Sequence, residues 1–109
     1  MIQVTIFKNQ NDDFTGFACL GHAGYADAGE DIICAGVSAL VINTINSIAA
    51  FTKEKITVDS EEETGMITLD FAKPAGDEAA LLMKSLVLGL QGIQNDYGDE
   101  YITLNIKEV

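Results

Sequence analysis

The residues of this chain that could do chemistry cluster in one stretch, Gly21 to Leu40, which holds the only histidine, His22, and one of the two cysteines, Cys34. An imidazole within reach of a thiol is the minimal equipment for nucleophilic catalysis. The base takes the thiol proton, the thiolate attacks, and the imidazolium returns a proton to the leaving group. Asp31 precedes an apolar run and reads as the N-cap of a helix beginning at Ile32, which places Cys34 within the first helical turn. There the positive end of the macrodipole favours thiolate over thiol, and the unsatisfied amide hydrogens point where an oxyanion would form. Against this, the surroundings of Cys34 are apolar, which makes a thiol inert, and Glu30 and Asp31 oppose a further negative charge. A core histidine and a core cysteine also account for these residues, and on residue types alone both readings stand.

The neighbours carry the same double meaning. Asp31 serves either as cap or as the acid that orients the imidazole. Ser38 lies one turn after Cys34 and either bonds around the thiol or back to its own helix. Cys19 falls in an alternating segment and reads as core packing. One histidine and two cysteines, with no Cys-x-x-Cys or His-x-x-x-His pair, do not make a zinc set, so no metal is expected. Gly21, Gly24 and Gly29 precede a helix, but no lysine follows in the loop and its acids would repel a phosphate.

Positioning these groups requires a scaffold, and the pattern of apolar residues supplies one. Residues 1–8 alternate as a strand with Ile2, Val4 and Ile6 on one face. A polar turn leads to a second strand, Phe14 to about His22, with Thr15, Phe17, Cys19 and Gly21 on one side and Phe14, Gly16, Ala18, Leu20 and His22 on the other. His22 then ends that strand, facing the loop 23–31, whose Ala23, Gly24 and Gly29 are small enough for a peptide backbone to come close. A helix over 32–52 follows, apolar almost all round in its first half, which predicts deep burial there. Its strongest apolar run, Ile32 to Ile42, is too short to span a bilayer. Ile56–Val58 and Met66–Phe71 flank an acidic segment, 59–65, that reads as a solvated hairpin turn. Asp77 is placed to cap a second helix running to about Tyr97 and closed by Gly98, and Tyr101–Ile106 is a final strand. The order ββαββαβ, without linker or repeat, predicts one two-layer α+β domain over 1–109, an antiparallel or mixed sheet carrying two helices.

Gly21-His22-Ala23, Tyr25-Ala26, Gly29, Asp31-Ile32, Cys34-Ala35 and Val37-Ser38 together resemble the signature of the bacterial ribosomal-processing cysteine protease (Prp) family. The match is dense over residues 21–40, with no departure at His22 or Cys34, and the length, acidity and element order agree across the rest. The resemblance implies a cysteine endopeptidase that removes the N-terminal extension of a large-subunit ribosomal protein, L twenty-seven, cutting after an aromatic, apolar stretch. It implies Cys34 as nucleophile, His22 as general base and acid, no cofactor, and a homodimer. The loop 23–31 would then open for the peptide and close over it.

Composition bounds the alternatives. Seventeen acidic residues against six basic ones give a net charge of −11, which disfavours direct nucleic-acid binding and suits a basic partner such as a ribosomal protein. The alternating N-terminus is not a signal peptide, and no membrane attachment is expected. A cytoplasmic location and free thiols follow as expectations. Two rival functions remain: a non-enzymatic acidic module that holds a basic ribosomal protein, and a thiol redox sensor at Cys34 with Cys19 as resolving partner.

Overall fold

The computed structural model describes residues 1–21 and 28–109, with side chains for 1–21 and 32–109. Its elements are β1 (Ile2–Lys8), β2 (Phe14–Leu20), α1 (Ala28–Phe51), β3 (Ile56–Glu61), β4 (Met66–Phe71), α2 (Asp77–Tyr97) and β5 (Ile102–Glu108). The strands form one mixed sheet in the order β3-β4-β2-β1-β5, with only β1 and β5 parallel. Two helices on a five-stranded sheet make the expected two-layer α+β fold. Both hairpins, β1–β2 and β3–β4, are present. The pairing of β2 with β4 joins them into one sheet and brings Ile67 beside Cys19.

The core fills the space between sheet and helices. Val4, Ile6 and Phe17 from the sheet meet Val37, Val41 and Ile48 of α1 and Met83, Leu86 and Leu90 of α2, all essentially removed from water. Burying such side chains contributes about 1.5–3 kcal/mol each before the entropy of ordering them is set against it. The helices approach closely where Gly89 of α2 faces Leu40: a Cβ there would sit 2.9 Å from the leucine Cδ1. Thr44 is the one buried polar side chain among the described residues, and its hydroxyl donates to the Leu40 carbonyl at 2.8 Å.

Several boundaries and facings differ from the sequence expectation. Helix α1 begins at Ala28 rather than Ile32, so Asp31 lies inside the helix and does not cap it. Ala28, Glu30 and Asp31 are residue types that a first helical turn accepts, and the apolar run only marks where burial starts. The first half of α1 is buried on one face only: Ile33, Cys34 and Val37 are inside, while Ile32 is 66% exposed. Counted along the helix, Ile32–Phe51 has the length and apolarity of a membrane-crossing segment, more than the run to Ile42 suggested. The face carrying Val37, Val41 and Ile48 is instead committed to the core.

On β2, Phe14 is buried with Phe17 and Cys19, not on the opposite side. The register shifts between Phe7↔Gly16 and Lys8↔Phe14, so a bulge at Thr15 turns Phe14 inward. For α2, the N-cap is Gly76 in an extended conformation, and Asp77 is the first helical residue. The Gly76 N–H donates to the Glu54 carboxylate at 2.7 Å, tying the helix start to the segment after α1. Gly98 closes α2 as expected, its N–H donating to the Gln94 carbonyl at 2.8 Å.

Candidate active site

Cys34 sits on the sheet-facing side of α1, 8% exposed, and opens onto a cavity of about 380 Å³. Three walls enclose it. Val37 and Ser38 continue the α1 side, and Ile2, Cys19 and Gly21 form the end of the β1–β2 hairpin. Ser60 to Glu62 and Gly65 to Ile67 close it from the β3–β4 hairpin. The register explains the assembly: Val4, Cys19, Ile67 and Ser60 are successive cross-strand neighbours. Their side chains therefore share the core face beneath α1.

Gly21 joins this wall to the segment that begins with His22. Its φ of +125° is strained for any side chain, and an added Cβ would lie 2.8 Å from the Met1 carbonyl oxygen and 3.1 Å from Ile2 Cα. The close approach of the first strand thus demands glycine here, whatever its part in recognition. His22, Ala23 and Gly24 lie outside the described residues. Gly29 and Asp31 are described only as backbone within α1, so the proposed orienting role of Asp31 also falls outside them. Ser38, exposed and one turn beyond Cys34, lines the same cavity. Side chains of a helix lean toward its N-terminus, which directs Ser38 toward the thiol.

The earlier helix start changes the chemistry expected of Cys34. Six residues into α1 counted from Ala28, it stands in the second turn, where a helical amide is bonded to the carbonyl four residues before it. Its own amide therefore offers no oxyanion donor, and the macrodipole, felt mainly in the first turn, does less for the thiolate. Both cysteines are thiols and not bridged. The Cys19 thiol is pushed up to about 11, first by burial and then by the charge of nearby Cys34. Among the described residues, no group of three His, Cys, Asp or Glu side chains is placed to hold a metal.

Sequence reasoning missed the β3–β4 wall. The sequence pattern places Glu61 and Glu62 in a solvated turn; Glu61 instead ends β3, and both, though exposed, stand at the rim of the Cys34 cavity. Only the non-local β2–β4 pairing places them there.

Comparison with known proteins gives this geometry its context. The family model for cysteine protease Prp matches residues 1–103. A ribosomal processing cysteine protease Prp from Bacillus subtilis (strain 168) is 32% identical over 97% of this chain and 99% of its own. One from Staphylococcus aureus (strain Mu50) is 33% identical over 98% of this chain and its full length. Among solved structures, the essential ribosomal processing protease Prp of S. aureus with a substrate peptide superposes with a TM-score of 0.90 at 32% identity. The same protease with a covalently linked product peptide gives 0.87 at 33% identity. Each alignment covers 98% of this chain and 100% of the other. With the match spanning the sheet, both helices and the walls around Cys34, the chain belongs to the cysteine protease Prp family and is a ribosomal processing cysteine protease.

Proposed function

We propose that this protease removes the N-terminal extension of the large-subunit ribosomal protein L twenty-seven, with Cys34 as nucleophile and His22 as its general base and acid. The observation that carries the proposal is a cavity beside the one α1 thiol, lined by Ile2, Met66 and Ile67 and by Gly21, the residue that precedes His22 in the sequence. A relative holds a product peptide covalently, as a thiol nucleophile would. The thiolate attacks the scissile carbonyl, the imidazolium protonates the leaving amine, and water activated by the imidazole releases the acyl group. Since Cys34 lies beyond the first turn, its ionisation depends chiefly on pairing with the imidazolium, and the Ser38 hydroxyl is the donor we assign to the oxyanion. Ile2, Met66 and Ile67 take the aromatic, apolar residues before the cut.

The same reading places the protein in the cytoplasm as a homodimer, expected at twice the 11.7 kDa chain mass in light scattering. Family membership sets aside the purely binding role. The acidic surface then assists capture of a basic substrate rather than constituting the function.

The test is cleavage of a synthetic peptide spanning the extension and the first residues of the mature ribosomal protein. One cut is expected. Cys34→Ala should abolish it, and His22→Ala should lower kcat by about 10²–10⁴-fold. Undiminished cleavage by Cys34→Ala would overturn the assignment.

A further inference from the structure

Cys19 has no step in peptide cleavage, yet β2 turns it into the cavity that holds Cys34. It is 6% exposed on the core face, between Val4 and Ile67 in the sheet, and Cys34 faces the same space from α1. The charge of one thiolate is felt by the other. The cavity, about 380 Å³, admits solutes far smaller than a peptide. These are the only cysteines in the chain, so a bridge within one molecule has a single outcome.

We propose that Cys19 and Cys34 form a peroxide-responsive pair, in which oxidised Cys34 is captured by Cys19 as a reversible disulfide that switches the protease off and spares its nucleophile from permanent oxidation. The oxidant is hydrogen peroxide. The Cys34 thiolate attacks one peroxide oxygen, an S–O bond forms, the O–O bond breaks, and the departing hydroxide takes up a proton to leave as water. Cys34 is then a sulfenic acid, oxidised by two electrons as the peroxide is reduced. The Cys19 sulfur attacks the Cys34 sulfur, the S–S bond forms as the S–O bond breaks, and the hydroxide leaves with the Cys19 proton as a second water. Two thiols and one peroxide thus give one disulfide and two waters, and an external thiol reductant reverses the bridge.

The order of events follows from the surroundings. Cys34, the proposed nucleophile of cleavage, meets the peroxide first, while the Cys19 thiol, raised by its burial, keeps its proton. Conversion of Cys34 to a neutral sulfenic acid then removes the Cys34 charge, the second cause after burial of the raised Cys19 thiol, and so eases attack by Cys19.

The experiment exposes the full chain to hydrogen peroxide, quenches with an alkylating reagent, and reads intact and peptide mass without reduction. The expected product is a monomeric chain lighter by two hydrogens, with a Cys19–Cys34 linked peptide, no alkylation, and cleavage activity that dithiothreitol restores. Cys19→Val and Cys19→Ala, each compared with its own untreated sample, should under peroxide gain two oxygens at Cys34 and lose activity that dithiothreitol no longer restores. Should both variants fail to fold, the wild-type peptide map decides alone. Sulfinic acid at Cys34 beside an alkylated Cys19, or a bridge only between two chains, would overturn the proposal. The mass readout does not depend on cleavage, so it stands or falls apart from the identity of the protease substrate.

Discussion

A thiol that has lost its water is a poor acid, and Cys19 shows it: burial first, and then the charge of Cys34, raise its proton affinity. Its proton is held up to about 11 in the fold against 9.0 for an ordinary thiol. The folded state therefore binds this proton more tightly than the unfolded state. The stabilisation is complete below pH 9.0 and is lost as the pH rises through about 11. Urea denaturation followed across that window should show a steep alkaline loss of stability that Cys19→Val flattens. Since the charge on Cys34 is the second cause of the shift, Cys34→Ala should also let Cys19 be alkylated at a lower pH than in wild type. Gly21 gives a second test at this scale. Gly21→Ala places a methyl 2.8 Å from the Met1 carbonyl oxygen at a φ of +125°, which should cost about 1–3 kcal/mol. Because His22 follows directly, kcat/KM should fall more than the lowered Tm explains, with turnover measured well below that Tm. Sequence alone identified Gly21 as part of a small-residue stretch. The reason it must be glycine, the approach of the first strand, became visible only in the fold.

At the scale of elements, local signals were legible where a segment's own periodicity decides its state. Strand β4, the extents of β1 and α2, and the Gly98 stop were all readable for this reason. What escaped depended on partners elsewhere in the chain. The bulge at Thr15 exists because β2 must pair with β1 while burying Phe14, and the cap of α2 involves Glu54, distant in sequence. The start of α1 at Ala28 escaped because polar and small residues carry no burial periodicity. Of the candidate site, Cys34 and Ser38 are brought onto one cavity with Cys19, while the β3–β4 wall depended on a strand pairing that no local pattern announces. Helix α2 also contains a residue that local packing leaves free to change. Gly92 is helical, with nothing within 4 Å of where its Cβ would be. Gly92→Ala should stabilise the protein by about 0.5–1 kcal/mol through helix propensity, read as a raised Tm with cleavage unchanged.

For the whole molecule, the governing quantity is a surplus of acidic groups, seventeen against six basic, part of it at the rim of the Cys34 cavity through Glu61 and Glu62. A single exposed carboxylate adds little, since solvent and salt screen it. The summed field is different, because it acts on every approach of a charged substrate and shortens the search for the site. On the proposed reading, a basic segment of the substrate is drawn toward the cavity before its apolar residues reach Ile2, Met66 or Ile67. Screening should act on encounter rather than on chemistry. Raising ionic strength from about 0.01 M to 0.15 M shortens the Debye length from roughly 30 Å to 8 Å. Over that range kcat/KM for a lysine-rich peptide should fall several-fold while kcat stays nearly constant. Replacing the peptide lysines by glutamine should flatten the dependence without moving kcat, whereas Glu61→Gln with Glu62→Gln, two of the seventeen acids, should only weaken it. A salt response equal for the lysine and glutamine peptides would show that the acidic surface takes no part in capture and leave apolar contacts to account for recognition.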